Sequence, residues 1–297
     1  MMAQRDHRMH HYIWHQVRNG WLFFDAATIA AIRELGWEPP RPATRPVAGG
    51  QEPILDNDSG EDFLYMHRQM IAAVNQRLQE TADPSYPRVE GWKSVPRPND
   101  ADYPVPPAWD TKDESLNSYL QETKSDQFFE QTMTPWERQF SDPKWLQGKS
   151  LGELGARIEF SIHNRMHMRW CSNPGAIRPD TDPAHPNDID PKWDLVSYDW
   201  LGDTYSSHVN SVFWKIHGWV DDRIEAWKSA NGVTGEIAWK GTWVGKMPMH
   251  PASTSLHAML AGGHEHHDHG SELTSLVQII QRSGFFRHFY DRIQVPK

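Results

Sequence analysis

Two histidines lie four residues apart in the stretch Ile162–His163–Asn164–Arg165–Met166–His167. On a helix that spacing stacks both imidazoles on one face, where they can grip one metal ion. A third ligand from a neighbouring helix would complete the set, and His217, within 213–221, is the candidate. The pattern recurs near the start of the sequence: His11 and His15 are four apart, and His67 follows in its own helix-like segment. The chain therefore carries two three-histidine sets, His11/His15/His67 and His163/His167/His217, read as a binuclear metal site. All-imidazole ligation suits copper, zinc or iron and is poor for magnesium or calcium. Three ligands per ion leave positions open for chemistry, which a closed structural zinc site does not. Two copper ions so held could use O₂ on a phenol ring.

Carboxylates near the histidines are the candidate acid–base groups. Glu159 precedes His163 by one helical turn and shares its face, so it could act as a base toward substrate or water. Asn164 could orient that water. Glu153 is a rival for Glu159, and helix surface is the alternative for both. Asp221, one turn after His217, could hold a neighbouring ligand or the helix itself, or be a surface charge. His208 precedes His217 by nine residues and, at about 100° per residue on one helix, would face the opposite side.

Such a site needs helices to position it. Segments 7–17, 61–78, 155–170 and 205–229 read as four helices, the second with apolar residues at a 3.6 period. The fold class is mainly α, an antiparallel four-helix bundle with ligands converging from facing helices. A helix over 26–35 is capped by Asp25 and stopped by Gly36. Shorter helices are expected around 115–124 and 136–140, and an amphipathic helix over 272–293. Segments 37–60, 83–113 and 172–196, rich in Pro or Asp, read as loops without regular structure. Residues 260–270, with the run His264–Glu265–His266–His267–Asp268–His269, read as a mobile polar loop rather than a metal store.

Composition bounds the function. The 297 residues read as one metal-binding domain, 1–297. The charge balance of −9 argues against a nucleic-acid footprint, while 17 histidines are the compositional outlier. Cys171 is the single cysteine, so neither a disulfide framework nor a Cys-based zinc cluster exists. No signal peptide and no membrane-spanning apolar run is visible, which makes a cytoplasmic location the expectation. The oligomeric state is open, a homodimer included.

These residues resemble the arthropod-type haemocyanins and prophenoloxidases, within the tyrosinase (type 3 copper) family. HHYIWH at 10–15 is similar to their HHWHWH segment, and GEDFLYMHRQM at 60–70 resembles their second copper-A helix. IHNRMH at 162–167 is similar to the HNxxH copper-B pair. GDT at 202–204 and VFWKIHGWVDD at 212–222 resemble the final copper-B segment. The resemblance implies copper A on His11, His15 and His67, and copper B on His163, His167 and His217. Two departures stand out. The family's Arg-Asp-Pro before the last ligand helix is Val209–Asn210–Ser211 here, and the large flanking domains of arthropod members have no counterpart. The expected activity is a binuclear copper oxidase using O₂ on a small phenol, catechol or o-aminophenol. The alternatives are a zinc enzyme on the same six histidines, performing a non-redox elimination or hydrolysis, and a non-catalytic O₂- or copper-binding protein.

Overall fold

The first histidine pair rides on α1, Arg5–Gly20, which has Asp6 in its first turn and Arg18 in its last, both complementing the helix dipole. The structure is a computed structural model that describes residues 2–178, 190–246 and 269–284. Helix α2, Ala26–Glu34, starts where Asp25 accepts a hydrogen bond from the Thr28 amide at 2.7 Å. It ends before Gly36, whose φ of +75° is a conformation that glycine adopts without strain.

Segment 37–60 departs from the sequence expectation, because it contains a hairpin. Strand β1, Thr44–Val47, pairs antiparallel with β2, Gly50–Pro53, Thr44 opposite Pro53 and Val47 opposite Gly50. Gly49 turns the chain at φ +84°. Thr44 Oγ1 contacts Asn19 O at 2.8 Å and Gln51 Oε1 at 3.0 Å, tying the hairpin to the end of α1. Pro46 and Pro53 break the alternation that would have marked two strands.

Helix α3, Ser59–Thr81, carries His67. After the irregular proline-rich stretch come α4, Glu114–Lys124, and α5, Asp126–Phe128. A π turn over Phe129–Met133 leads into α6, Thr134–Gln139, and then α7, Pro143–Leu146. Ser150 caps α8, Leu151–Ile158, by accepting from the Glu153 amide at 3.0 Å. A π turn over Glu159–His163 joins α8 to α9, Asn164–Trp170, in one rod. The fourth ligand helix starts later than residue 205, where the sequence places it. Residues 207–209 form a 3₁₀ turn, and Asn210 caps α10, Ser211–Ala230, accepting from the Val212 amide at 2.9 Å. Helix α11 spans His269–Ser283. The rest of the expected C-terminal helix beyond 284, and residues 264–268 of the histidine run, lie outside the described residues. The described protein is mainly helical, and none of its helices is long and apolar enough to cross a membrane.

Backbone contacts at glycine bring the ligand helices together. A Cβ on Gly60 would lie 2.1 Å from Gly152 O and from Ala156 N, and one on Gly155 would lie 2.1 Å from Gly60 O. Only glycine allows α3 and α8 to cross this closely. The irregular stretch before α4 packs on α10 in the same way: a Cβ on Gly218 would be 2.4 Å from Gly91 Cα. Helix α10 touches α3, α7, α8 and α9, while α11 covers α1 and α2. Between them Trp14, Phe63, Ile158, Ile216 and Trp219 are fully buried.

Candidate metal centre

The histidines singled out by spacing converge. Each of the two sets, His11/His15/His67 and His163/His167/His217, offers one ligand nitrogen per residue, all within 4.8 Å of one another. The sets face each other, with His67 at their junction. His67 stacks on His217 with ring centroids 4.2 Å apart, and its ring lies 6.0 Å from that of His163. His208 needs a correction. It belongs to the 3₁₀ turn rather than to the helix of His217, and its Nδ1 lies 3.2 Å from His11 Nδ1, behind the first triad.

Hydrogen bonds fix the imidazole tautomers. His11 Nδ1 donates to Thr204 O (2.6 Å) and His167 Nδ1 to Leu201 O (2.9 Å). His67 and His217 donate to the carbonyls one turn back, Phe63 O at 2.9 Å and Phe213 O at 2.8 Å. His163 Nδ1 donates to Asn164 Oδ1 at 3.2 Å. With the proton on Nδ1, each Nε2 presents a lone pair. Metal-bound histidines are normally anchored this way through their second nitrogen.

The Nε2 atoms then test whether a metal fits. Those of His11, His67 and His167 are buried without any hydrogen-bond partner among the described residues. Those of His163 and His217 face each other at 3.0 Å, and with both protons on Nδ1 the two lone pairs oppose. Leaving a buried acceptor unmet costs roughly 1–3 kcal/mol, and several unmet acceptors at one point call for a shared cation. The donor set fits a pair of transition-metal ions.

The imidazoles are held neutral. Burial depresses the pKa of His11 to about 3 and that of His167 to about 4. Burial, then neighbouring imidazoles, push His15, His163 and His217 well below 6.5, and His67 is lowered in the same way. Neutral imidazole is the form that binds metal.

A cleft opens over the triads, lined also by Glu159, Asn164, Gln16, Asn19, Thr204 and Phe213. Glu159 reaches it, but not as a free carboxylate. Both its oxygens bind Arg18, at 2.6 and 2.7 Å, and both residues are buried. Burial pushes the Glu159 carboxyl up, and the guanidinium of Arg18 opposes that shift. Glu153 does not line the cleft. It pairs with Lys149 at 3.1 Å and Arg157 at 2.9 Å on the outer side of α8. Asp221 accepts from Arg68 Nε at 2.6 Å, bracing α10 against α3 one residue from His67.

Sequence reasoning missed four contributors. Arg18 holds Glu159, and basic residues in the last turn of a helix ordinarily pass as dipole partners. The carbonyls of Leu201 and Thr204 anchor one histidine in each triad. Phe213 stacks on His217, centroids 3.8 Å apart. The GDT stretch marks the anchoring loop in the sequence but does not reveal what the loop does. In the structure Asp203 accepts from the Tyr205 amide at 2.9 Å and pairs in the interior with Arg178 at 2.9 Å, which fixes the carbonyls on either side. No protein-family model matches the chain, and no curated protein matches it either.

Proposed function

We propose that the chain is a binuclear copper oxidase of the tyrosinase type, acting with O₂ on a small phenol, catechol or o-aminophenol. His11, His15 and His67 would hold one ion and His163, His167 and His217 the other. The ligands come from α1, α3, the α8–α9 rod and α10, read as the antiparallel four-helix bundle of the family. The observation that carries the reading is the pair of three-histidine sets, each with its ligand nitrogens within 4.8 Å of one another, in which the Nε2 atoms of His11, His67 and His167 are buried without a partner among the described residues. A bound copper pair would supply the redox chemistry, in which two catechols become two quinones and O₂ takes their four electrons and four protons to form two waters.

The chain's own groups bind and orient. Phe213 lines the cleft, and its stacking on His217 keeps that imidazole in register. Glu159 is the acid on the cleft wall. Its carboxylate has lone pairs beyond the two used by Arg18, enough to accept a proton from a substrate hydroxyl or from a water. Asn164, bonded to His163, orients the imidazole beside that water.

Metal content of the purified chain and O₂ uptake with catechol and with o-aminophenol test the reading together. Two copper ions per chain and O₂ consumption are expected. Zinc without O₂ uptake would replace it with the zinc-dependent elimination or hydrolysis. Copper without turnover would make the chain a binding protein.

A further inference from the structure

A second cavity lies behind the first triad. It is small, about 20 Å³, and is lined by Met2, His7, His10, His11, Met66, Met70 and His208. Every lining side chain among the described residues is a thioether or an imidazole. Only 11 methionines and 17 histidines occur among 297 residues, so a wall made of nothing else is not what composition supplies. Burial is graded along it. Met2, His7 and His10 are partly exposed, whereas Met66, Met70, His11 and His208 are buried. The cavity thus runs from the outside of α1 to the back of a triad ligand.

The local geometry explains how the sequence builds it. Met66 and Met70 stand one turn apart on α3 and so share a face, offset from the face that presents His67. His7, His10 and His11 come from consecutive turns of α1. His10 hydrogen-bonds the backbone of Val244, yet its Nε2 is buried without a partner among the described residues. His208 Nε2 donates to Met2 O at 3.0 Å, which leaves its Nδ1 lone pair beside His11 Nδ1.

We propose that this cavity is a separate copper(I) site, with Met66, Met70 and His10 as principal ligands and Met2 and His7 at its outer rim, through which copper reaches the first triad. Thioether and imidazole together select copper(I) over zinc and other divalent ions. The delivery role rests on the copper reading of the triads, whereas the binding chemistry of the cavity does not.

The experiment uses the full chain, stripped of metal and titrated anaerobically with copper(I) against a chromophoric copper(I) chelator, with X-ray absorption at the copper edge. One copper(I) beyond those held by the triads, with copper–sulfur scattering, is expected. The variant M66L/M70L, close to constant in volume, should lose that ion and its sulfur signal and fill the triads more slowly, with unchanged turnover per loaded copper pair. A wild type without sulfur scattering overturns the proposal, as does scattering that persists in M66L/M70L. Silver(I) gives a second measurement on the wild type alone: the Met66 and Met70 methyl resonances should shift, and unshifted resonances overturn the proposal independently of any variant's folding. Failure of the oxidase reading appears elsewhere, in H163A/H167A and in the metal identity of the triads, which sulfur scattering does not report.

Discussion

Glu159 shows how much one residue's partners change its meaning. Spacing alone makes it a base one turn from His163; the structure adds Arg18, bound to both carboxylate oxygens inside the protein. Removing one member of a buried pair leaves the other unmet and costs roughly 3–5 kcal/mol. Glu159→Gln keeps one acceptor oxygen for Arg18, so a loss at the lower end is expected, read as a reduced urea midpoint. Activity should separate two roles. Phenols have a pKa near ~10 and need help losing a proton, whereas catechols mainly give up electrons. A base is typically worth ~10²–10⁴-fold, so monophenol turnover should fall far more than catechol turnover, with metal retained. Equal loss of both together with metal would reduce Glu159 to the clamp that holds α1 on the π turn. His217→Ala is expected to remove about one metal ion per chain and abolish turnover, because its Nε2 is directed at that of His163. Metal analysis showing both ions retained would move the ligand role elsewhere. The histidines were legible because i, i+4 spacing is a local code. Arg18 and the carbonyls of Leu201 and Thr204 were not, because contacts across 141, 34 and 193 residues leave no mark on local spacing.

At the scale of elements, the distance between the triads is set where α3 crosses α8. Gly60 and Gly155 touch backbone to backbone, seven residues before His67 and eight before His163. A methyl on Gly155 would sit 2.1 Å from Gly60 O, and a backbone carbonyl cannot rotate out of the way. Overpacking typically costs ~1–3 kcal/mol, and Gly155→Ala is expected at or above the top of that range. The helices must part, so metal should be lost as well. Gly235→Ala, where nothing among the described residues lies within 4 Å, is the matched control and should leave both the urea midpoint and the metal content unchanged. Equal behaviour of the two variants would show that the crossing does not set the site. The long helices were legible from a 3.6 period and from caps such as Asp25 and Ser150. The hairpin at 44–53 was not, since four-residue strands containing proline carry no alternation to read. Sequence pattern starts α10 too early because buried residues 205–208 belong to the anchoring loop, and apolar pattern cannot separate a packed loop from a helix.

For the molecule as a whole, gathering neutral imidazoles in the interior couples stability to pH. The unfolded chain protonates its histidines near pH ~6.5, while in the metal-free folded state His167 waits until about 4 and His11 until about 3. Between those limits the unfolded state binds more protons, so stability is complete above pH ~6.5 and falls as pH drops toward about 3–4. Each such histidine contributes a slope of up to ~1.4 kcal/mol per pH unit. Against a total of roughly 5–15 kcal/mol for a folded protein, a few buried histidines acting together would unfold the metal-free chain in mild acid. Metal reverses the balance, because it binds only the folded, neutral arrangement and stabilises it by mass action. Urea midpoints of metal-free and metal-loaded protein, measured from about pH 8 to about pH 4, should therefore diverge as pH falls, the metal-free curve dropping first. A metal-free midpoint that stays flat through about pH 5 would mean that the imidazoles are already charged or solvated. The opposed Nε2 lone pairs would then no longer call for a cation.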